Sequence, residues 1–106
     1  MNRKKQRGGL SQRTAQDEWA EVFSCLASPA RLLIVEQLMR RPVGCGELQE
    51  TVGLSQPAMS YHLGKLEHAG ILHKTKHGTR NCYQVDARIA HLMAACMKGE
   101  ESWTTA

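Results

Sequence analysis

The chain has 106 residues, enough for one compact domain around one core. Aromatic residues make up only 5% of it, so aliphatic packing between helices has to provide most of the burial. The formal charge is +4. No apolar run approaches the ~20 residues that span a bilayer, and no apolar segment follows the positive charges of the N-terminus, so neither a membrane span nor a secretory signal is expected and a cytoplasmic location is.

The charge is uneven. Residues 1–13 hold Arg3, Lys4, Lys5, Arg7 and Arg13 and no acid, which leaves a nearly neutral body of nine basic and ten acidic residues. Residues 1–11 are polar, basic and glycine-containing, and are expected to form a flexible arm. The first helix is expected from near Gln12 to Leu26, where Ala15, Trp19, Val22, Phe23 and Leu26 give an amphipathic spacing. A break follows, with Ser28 as N-cap and Pro29 in the first turn of a second helix. That helix runs to Arg40 and is apolar almost all round (Leu32, Leu33, Ile34, Val35, Leu38, Met39), which predicts a place in the centre of the core. Pro42 and Gly44 end it.

A short helix over Cys45–Val52 leads through Gly53 and Leu54 to Ser55, the N-cap of a fourth helix. Pro57 falls in its first turn and Gly70 supplies a left-handed stop. Met59, Leu63 and Leu66 form its buried stripe. The spacing is that of helix, tight turn, helix. After Gly70, Ile71–Lys76 and Arg80–Val85 read as two short strands around His77, Gly78 and Thr79, a hairpin turn. Asp86 then caps a last helix to about Lys98, with Ile89, Leu92, Met93 and Cys96 on one stripe. Residues 99–106 are expected to be a flexible tail. The order is α-α-α-α-β-β-α: mostly α with a small β-hairpin, a winged helix-turn-helix. The expected domain is therefore 12–98, for DNA binding and dimerisation.

The fourth helix carries the chemistry. Opposite its apolar stripe lie Gln56, Ser60, Tyr61, His62 and Lys65, side chains that bond phosphates and base edges. A solvated surface helix more often shows paired Glu and Lys. Ser55, Gln56, Pro57, Ser60, Tyr61 and His62 are thus candidates for the major groove and Lys65 for phosphate. Tyr61 can instead pack on the backbone, and His62 can be a core or phosphate-bonding histidine. On the hairpin, Lys74, Lys76, His77, Thr79 and Arg80 are candidates for backbone or minor-groove contact, against the plainer reading of a solvated hairpin. From His62 to Arg80 the only acid is Glu67. A basic surface on this segment points to nucleic acid.

The first and last helices carry apolar stripes beyond the needs of the middle helices. Trp19, Val22, Phe23, Ile89, Leu92, Met93 and Cys96 are therefore expected in a homodimer interface, the alternative being that they pack on their own domain. The cysteines (Cys25, Cys45, Cys82, Cys96) have no C-x-x-C spacing. Cys96 first reads as a small packing residue. A second reading makes Cys25 and Cys96 a thiol or soft-metal sensor, with Cys45 as an accessible thiol beside the DNA-binding helix. His68, His73 and His77 read more simply as basic-surface groups than as a metal site.

In these segments the chain resembles the ArsR/SmtB family of winged-helix repressors. The resemblance rests on Leu26-Ala27-Ser28-Pro29-Ala30-Arg31-Leu32, on Gly53 through Leu63, and on Lys65 through Leu72, and covers roughly residues 18–97. It implies a homodimer on an inverted-repeat operator of double-stranded DNA, released by an inducer. The inducer is not legible here. Where thiol-metal members carry Cys-x-Cys, this chain has Gly44-Cys45-Gly46. Where zinc-type members carry Asp-x-His, Asp86 is followed by Arg88, and the later ligand positions fall near Gly99 and Ser102. Neither metal site nor any cofactor is expected. The alternative functions are a winged helix for protein contacts or non-specific nucleoid binding. A cysteine enzyme has no support beyond loose Cys and His residues.

Overall fold

The computed structural model describes residues 14–41 and 43–98. Helix α1 spans Ala15–Leu26 and begins at a capping box: the Thr14 hydroxyl accepts from the Asp17 amide at 3.1 Å and the Thr14 amide donates to the Asp17 carboxylate at 3.2 Å. The expected start near Gln12 lies outside the described residues, as do the basic arm and the C-terminal tail. Helix α2 spans Pro29–Arg40, with Ser28 accepting from the Arg31 amide at 3.3 Å.

Strand β1 (Val43–Gly44) was not expected. It pairs antiparallel with β3 (Arg80–Val85), Val43 opposite Tyr83 and Gly44 opposite Cys82. The observed order is therefore α-α-β-α-α-β-β-α, and the hairpin is part of a three-stranded sheet ordered β1-β3-β2. Two residues are too few to show a period-of-two pattern, and what makes them a strand is a partner far along the chain. Helix α3 spans Cys45–Val52 and ends on Gly53, which takes φ +80°. Helix α4 spans Gln56–His68. Its Ser55 cap accepts from the Ala58 amide at 3.2 Å, and Pro57 sits in the first turn, as the pattern predicts.

Gly70, at φ +79°, turns the chain out of α4, and the Ile71 amide donates back to the Leu66 carbonyl at 2.9 Å. Strand β2 (Leu72–His77) pairs with β3 from Leu72 opposite Val85 to His77 opposite Arg80. Gly78 and Thr79 are thus a two-residue turn, with Gly78 at φ +67° in the position where such turns need it. Helix α5 spans Ala87–Lys98.

The core joins Ile34, Val35 and Leu38 of α2, Leu48 of α3, Met59, Leu63 and Leu66 of α4, and Ile71, Leu72 and Tyr83 of the wing. Val22 and Leu26 of α1 and Ile89 and Met93 of α5 belong to the same cluster. The terminal stripes are therefore only partly spare. Val22, Ile89 and Met93 already bury themselves in their own chain, while Phe23 is 55% exposed, Trp19 and Leu92 are half-buried and Cys96 is exposed. Helix α2 departs from expectation too, because Leu32 and Leu33 are exposed at 40% and 36%. Its apolar girdle exceeds what this small core covers. Among the described residues no single helix is long and apolar enough to cross a membrane.

Candidate nucleic-acid interface

The buried stripe of α4 fixes which face turns outward. Met59, Leu63 and Leu66 are at most 2% exposed, so the far side of the helix carries Pro57, Ser60, Tyr61, Gly64 and Lys65, with Ser55 and Gln56 exposed at its start. Tyr61 is 58% exposed, and the Lys65 ammonium stands 5.7 Å from its ring centroid. The two side chains support each other through a cation–π contact and extend from the helix together.

His62 lies at the edge of this face and is half-buried. Its Nδ1 is 3.1 Å from Nη1 of Arg31 on α2. A guanidinium only donates, so Nδ1 accepts and the neutral ring carries its proton on Nε2. Burial first, and the Arg31 charge second, push the His62 pKa below the ordinary histidine value. Arg31 also donates from Nε to the Cys25 carbonyl at 2.7 Å, one of the carbonyls left open at the end of α1. Sequence reasoning placed Arg31 in the motif carrying the family resemblance but gave it no role. The available signal was an arginine in the first turn of a largely apolar helix.

The wing presents the second charged surface. Beyond Leu72 every residue of β2 is exposed, on both strand faces, and so are Gly78, Thr79, Arg80 and Asn81. Lys74, Lys76, His77, Thr79 and Arg80 thus reach solvent together. Among the described residues the tip is exposed throughout, which suits a part that lies along a charged surface. The base of the wing is held at Asp86, whose amide donates to the Ile71 carbonyl at 2.8 Å.

Asp86 caps α5, accepting from the Arg88 amide at 2.9 Å and the Arg88 Nε at 3.1 Å, and its second oxygen meets His73 Nε2 at 2.8 Å. The His73 hydrogen bond, with further help from Arg88, holds its carboxyl at about 2 against the opposing effect of burial. The residue that matches the first zinc ligand of the family pattern is thus tied to an arginine where the pattern has histidine. Among the described residues no three His, Cys, Asp or Glu side chains gather as a metal site.

The thiols are dispersed. Cys25 is half-buried, and its Sγ donates to the Lys65 carbonyl at 3.6 Å. Burial pushes its pKa up, against the lowering effect of Arg31 and Lys65. Cys82 is half-buried in β3 and Cys96 is exposed on α5. Cys25, Cys82 and Cys96 are all free thiols. The side chain of Cys45 lies outside what the structure describes.

A recognition helix set on a helix-turn-helix, flanked by a basic two-stranded wing, defines a winged-helix DNA-binding protein. Residues 26–75 match the family described as a helix-turn-helix domain. The chain is 40% identical over 81 residues to the HTH-type transcriptional regulator Rv0081 of Mycobacterium tuberculosis, covering 74% of this chain and 71% of that one. It is 34% identical over 79 residues to the biofilm growth-associated repressor of Xylella fastidiosa, covering 74% and 66%. The crystal structure of Rv0081 superposes with a TM-score of 0.77 at 32% identity over 89% of this chain and 96% of that one. A homodimeric winged helix-turn-helix domain from Mycobacterium bovis, described as a possible ArsR-family regulator, shares the fold at TM-score 0.79 and 21% identity, over 90% and 94% of the two chains. The chain belongs to the ArsR/SmtB-type family of winged-helix transcriptional regulators. That family is one of DNA-binding regulators and not a class of enzymes.

Proposed function

We propose that the chain is a homodimeric transcriptional repressor that sets α4 of each subunit into successive major grooves of an inverted-repeat operator. The observation that carries this reading is the outward face of α4, where Gln56, Ser60, Tyr61 and Lys65 are exposed without an acid among them, beside a wing whose Lys74, Lys76 and Arg80 are exposed too. Gln56 has the geometry to address adenine in a bidentate way, Ser60 to bond either base or phosphate, and Lys65 and the wing to neutralise backbone charge. Half-sites about 34–36 Å apart suit two such helices.

Repressor relatives and the homodimeric neighbour support the assembly and the sense of regulation. Of the expected interface, Phe23 and Cys96 are exposed and Trp19 and Leu92 half-buried among the described residues. The protein acts where the chromosome is, and an inducer of its own releases it from the operator. Fluorescence anisotropy with a labelled fragment from upstream of its gene tests the reading at fixed salt. Binding at least about a thousandfold tighter than to scrambled duplex supports it. Equal affinity for both makes the protein a non-specific nucleoid binder instead.

A further inference from the structure

We propose that Arg31, which lies off the DNA face, is a positioning residue for DNA recognition: it ties the end of α1 to His62 and fixes that histidine as an Nε2–H donor toward the duplex. The inference rests on the DNA-binding reading above and adds to it a residue and a protonation state.

The geometry is a two-point tie. Arg31 Nε donates to the Cys25 carbonyl at 2.7 Å and Nη1 donates to His62 Nδ1 at 3.1 Å. Its own backbone is held by the Ser28 cap. The planar guanidinium thus meets α1 and α4 while rooted in α2. A lysine in its place has one ammonium to serve both acceptors. With Nδ1 occupied, His62 has one polar hydrogen left, on Nε2. It can donate to an acceptor of the duplex but cannot accept from one. That selects purine N7, guanine O6, thymine O4 or a phosphate oxygen over the amino groups of adenine and cytosine.

The tie exists only with a neutral ring. Protonated histidine donates from both nitrogens, and a second positive charge would then face Arg31 at hydrogen-bond distance. From α1, Glu21 and the protonated thiol of Cys25 share the crevice of about 150 Å³ that Arg31 and Lys65 also line. On α4 itself Lys65 and the Tyr61 ring flank His62, the ring meeting it edge-on at 5.4 Å between centroids. From α3 and β2 the core receives Leu48 and Leu72 beneath the helix. Acid therefore acts on His62 in the opposite sense to an ordinary surface histidine. A cation gained beside phosphate tightens binding, whereas protonating His62 breaks the tie and loosens it.

The test is operator affinity of full-length protein from about pH 7.5 to 5.5, a window that brackets ordinary histidine titration. The variants are R31Q, R31K and H62N. Asparagine keeps an acceptor near the Nδ1 position and does not titrate. Wild-type affinity is expected to fall at least about fivefold relative to H62N across the window, each normalised to its own value at the higher pH. R31Q and R31K are both expected to lose about tenfold at the higher pH, worth about 1.4 kcal/mol. Superimposable normalised profiles for wild type and H62N overturn the proposal, as does R31Q or R31K binding within about twofold of wild type. If circular dichroism finds R31Q unfolded, the comparison of wild type with H62N decides alone. Failure of the wild type to select its operator at the higher pH counts against the DNA-binding reading, which keeps the two failures apart.

Discussion

His73 Nε2 stands 2.8 Å from the Asp86 carboxylate, so the first strand of the wing is tied to the residue that opens the last helix. The same carboxylate caps α5 through the Arg88 amide. Its folded pKa of about 2 lies below its ordinary value of 3.8. A depressed carboxylate stabilises the fold above the unfolded pKa, and that contribution drains away as pH falls through the folded one. Asp86→Asn keeps a capping oxygen but loses the charge. It should melt lower than wild type at neutral pH, and the gap between the two should close as melts are taken from about pH 4 down to 2. A gap that stays constant over this range would show that the charge of Asp86 contributes nothing.

Gly64 is the interior residue of α4 least suited to a helix, and it sits on the outward face among Ser60, Tyr61 and Lys65. A Cβ built there meets nothing within 4 Å. In the free protein Gly64→Ala should therefore stabilise the helix by about 0.5–1 kcal/mol, raising Tm by roughly 4 °C in a domain of this size. If the backbone of α4 approaches the duplex closely at this point, the same methyl group stands in the way. The expected result is a more stable protein that binds operator about tenfold more weakly. Calorimetry and anisotropy on one preparation measure both. Gains in both would place Gly64 away from the DNA.

The local devices of the fold were legible in the sequence because each is written within a few residues. The Ser28 and Ser55 caps, Pro29 and Pro57 in first turns, and the chain reversals at Gly53, Gly70 and Gly78 all stand where the pattern predicts, although His77 belongs to β2 and not to the turn. What the sequence hid depends on partners far away in the chain. Strand β1 exists because Tyr83 and Cys82 are opposite it. The division of Val22, Ile89 and Met93 from Phe23 and Cys96 depends on how α1 and α5 settle on the core, which a helical stripe does not specify. The contact of Arg31 with His62 spans 31 residues, and it leaves that histidine half-buried at the edge of the outward face rather than fully exposed on it.

Met59 is fully buried at the centre of the α4 stripe, in contrast to Phe23 on the open side of α1. Met59→Ala removes core volume and should cost about 2–5 kcal/mol, read from urea unfolding. Phe23→Ser leaves the core of the single chain alone. Its expected effect is on association: the sedimentation coefficient should shift toward the monomer at low micromolar concentration while the helical signal is kept. An unaltered dimer would move the interface away from this face.

The thiols differ in exposure and charge, and their reactivity should follow. Cys96 is exposed, whereas Cys25 is half-buried, donates to the Lys65 carbonyl and has its pKa pushed up. The thiolate is the reactive form, so a raised pKa and restricted access act in the same direction. With iodoacetamide at neutral pH, followed by peptide mass spectrometry, Cys96 should label at least about tenfold faster than Cys25. If a Cys25–Cys96 bridge nevertheless forms under diamide, α1 must release Cys25 from the Lys65 carbonyl. That same movement would strain the Arg31 tie to the Cys25 carbonyl, so oxidation should weaken operator binding and C25S should abolish the effect. Labelling of Cys25 first would overturn this order of reactivity, and loss of binding on oxidation that survives C25S would place the sensitive thiol elsewhere in the chain.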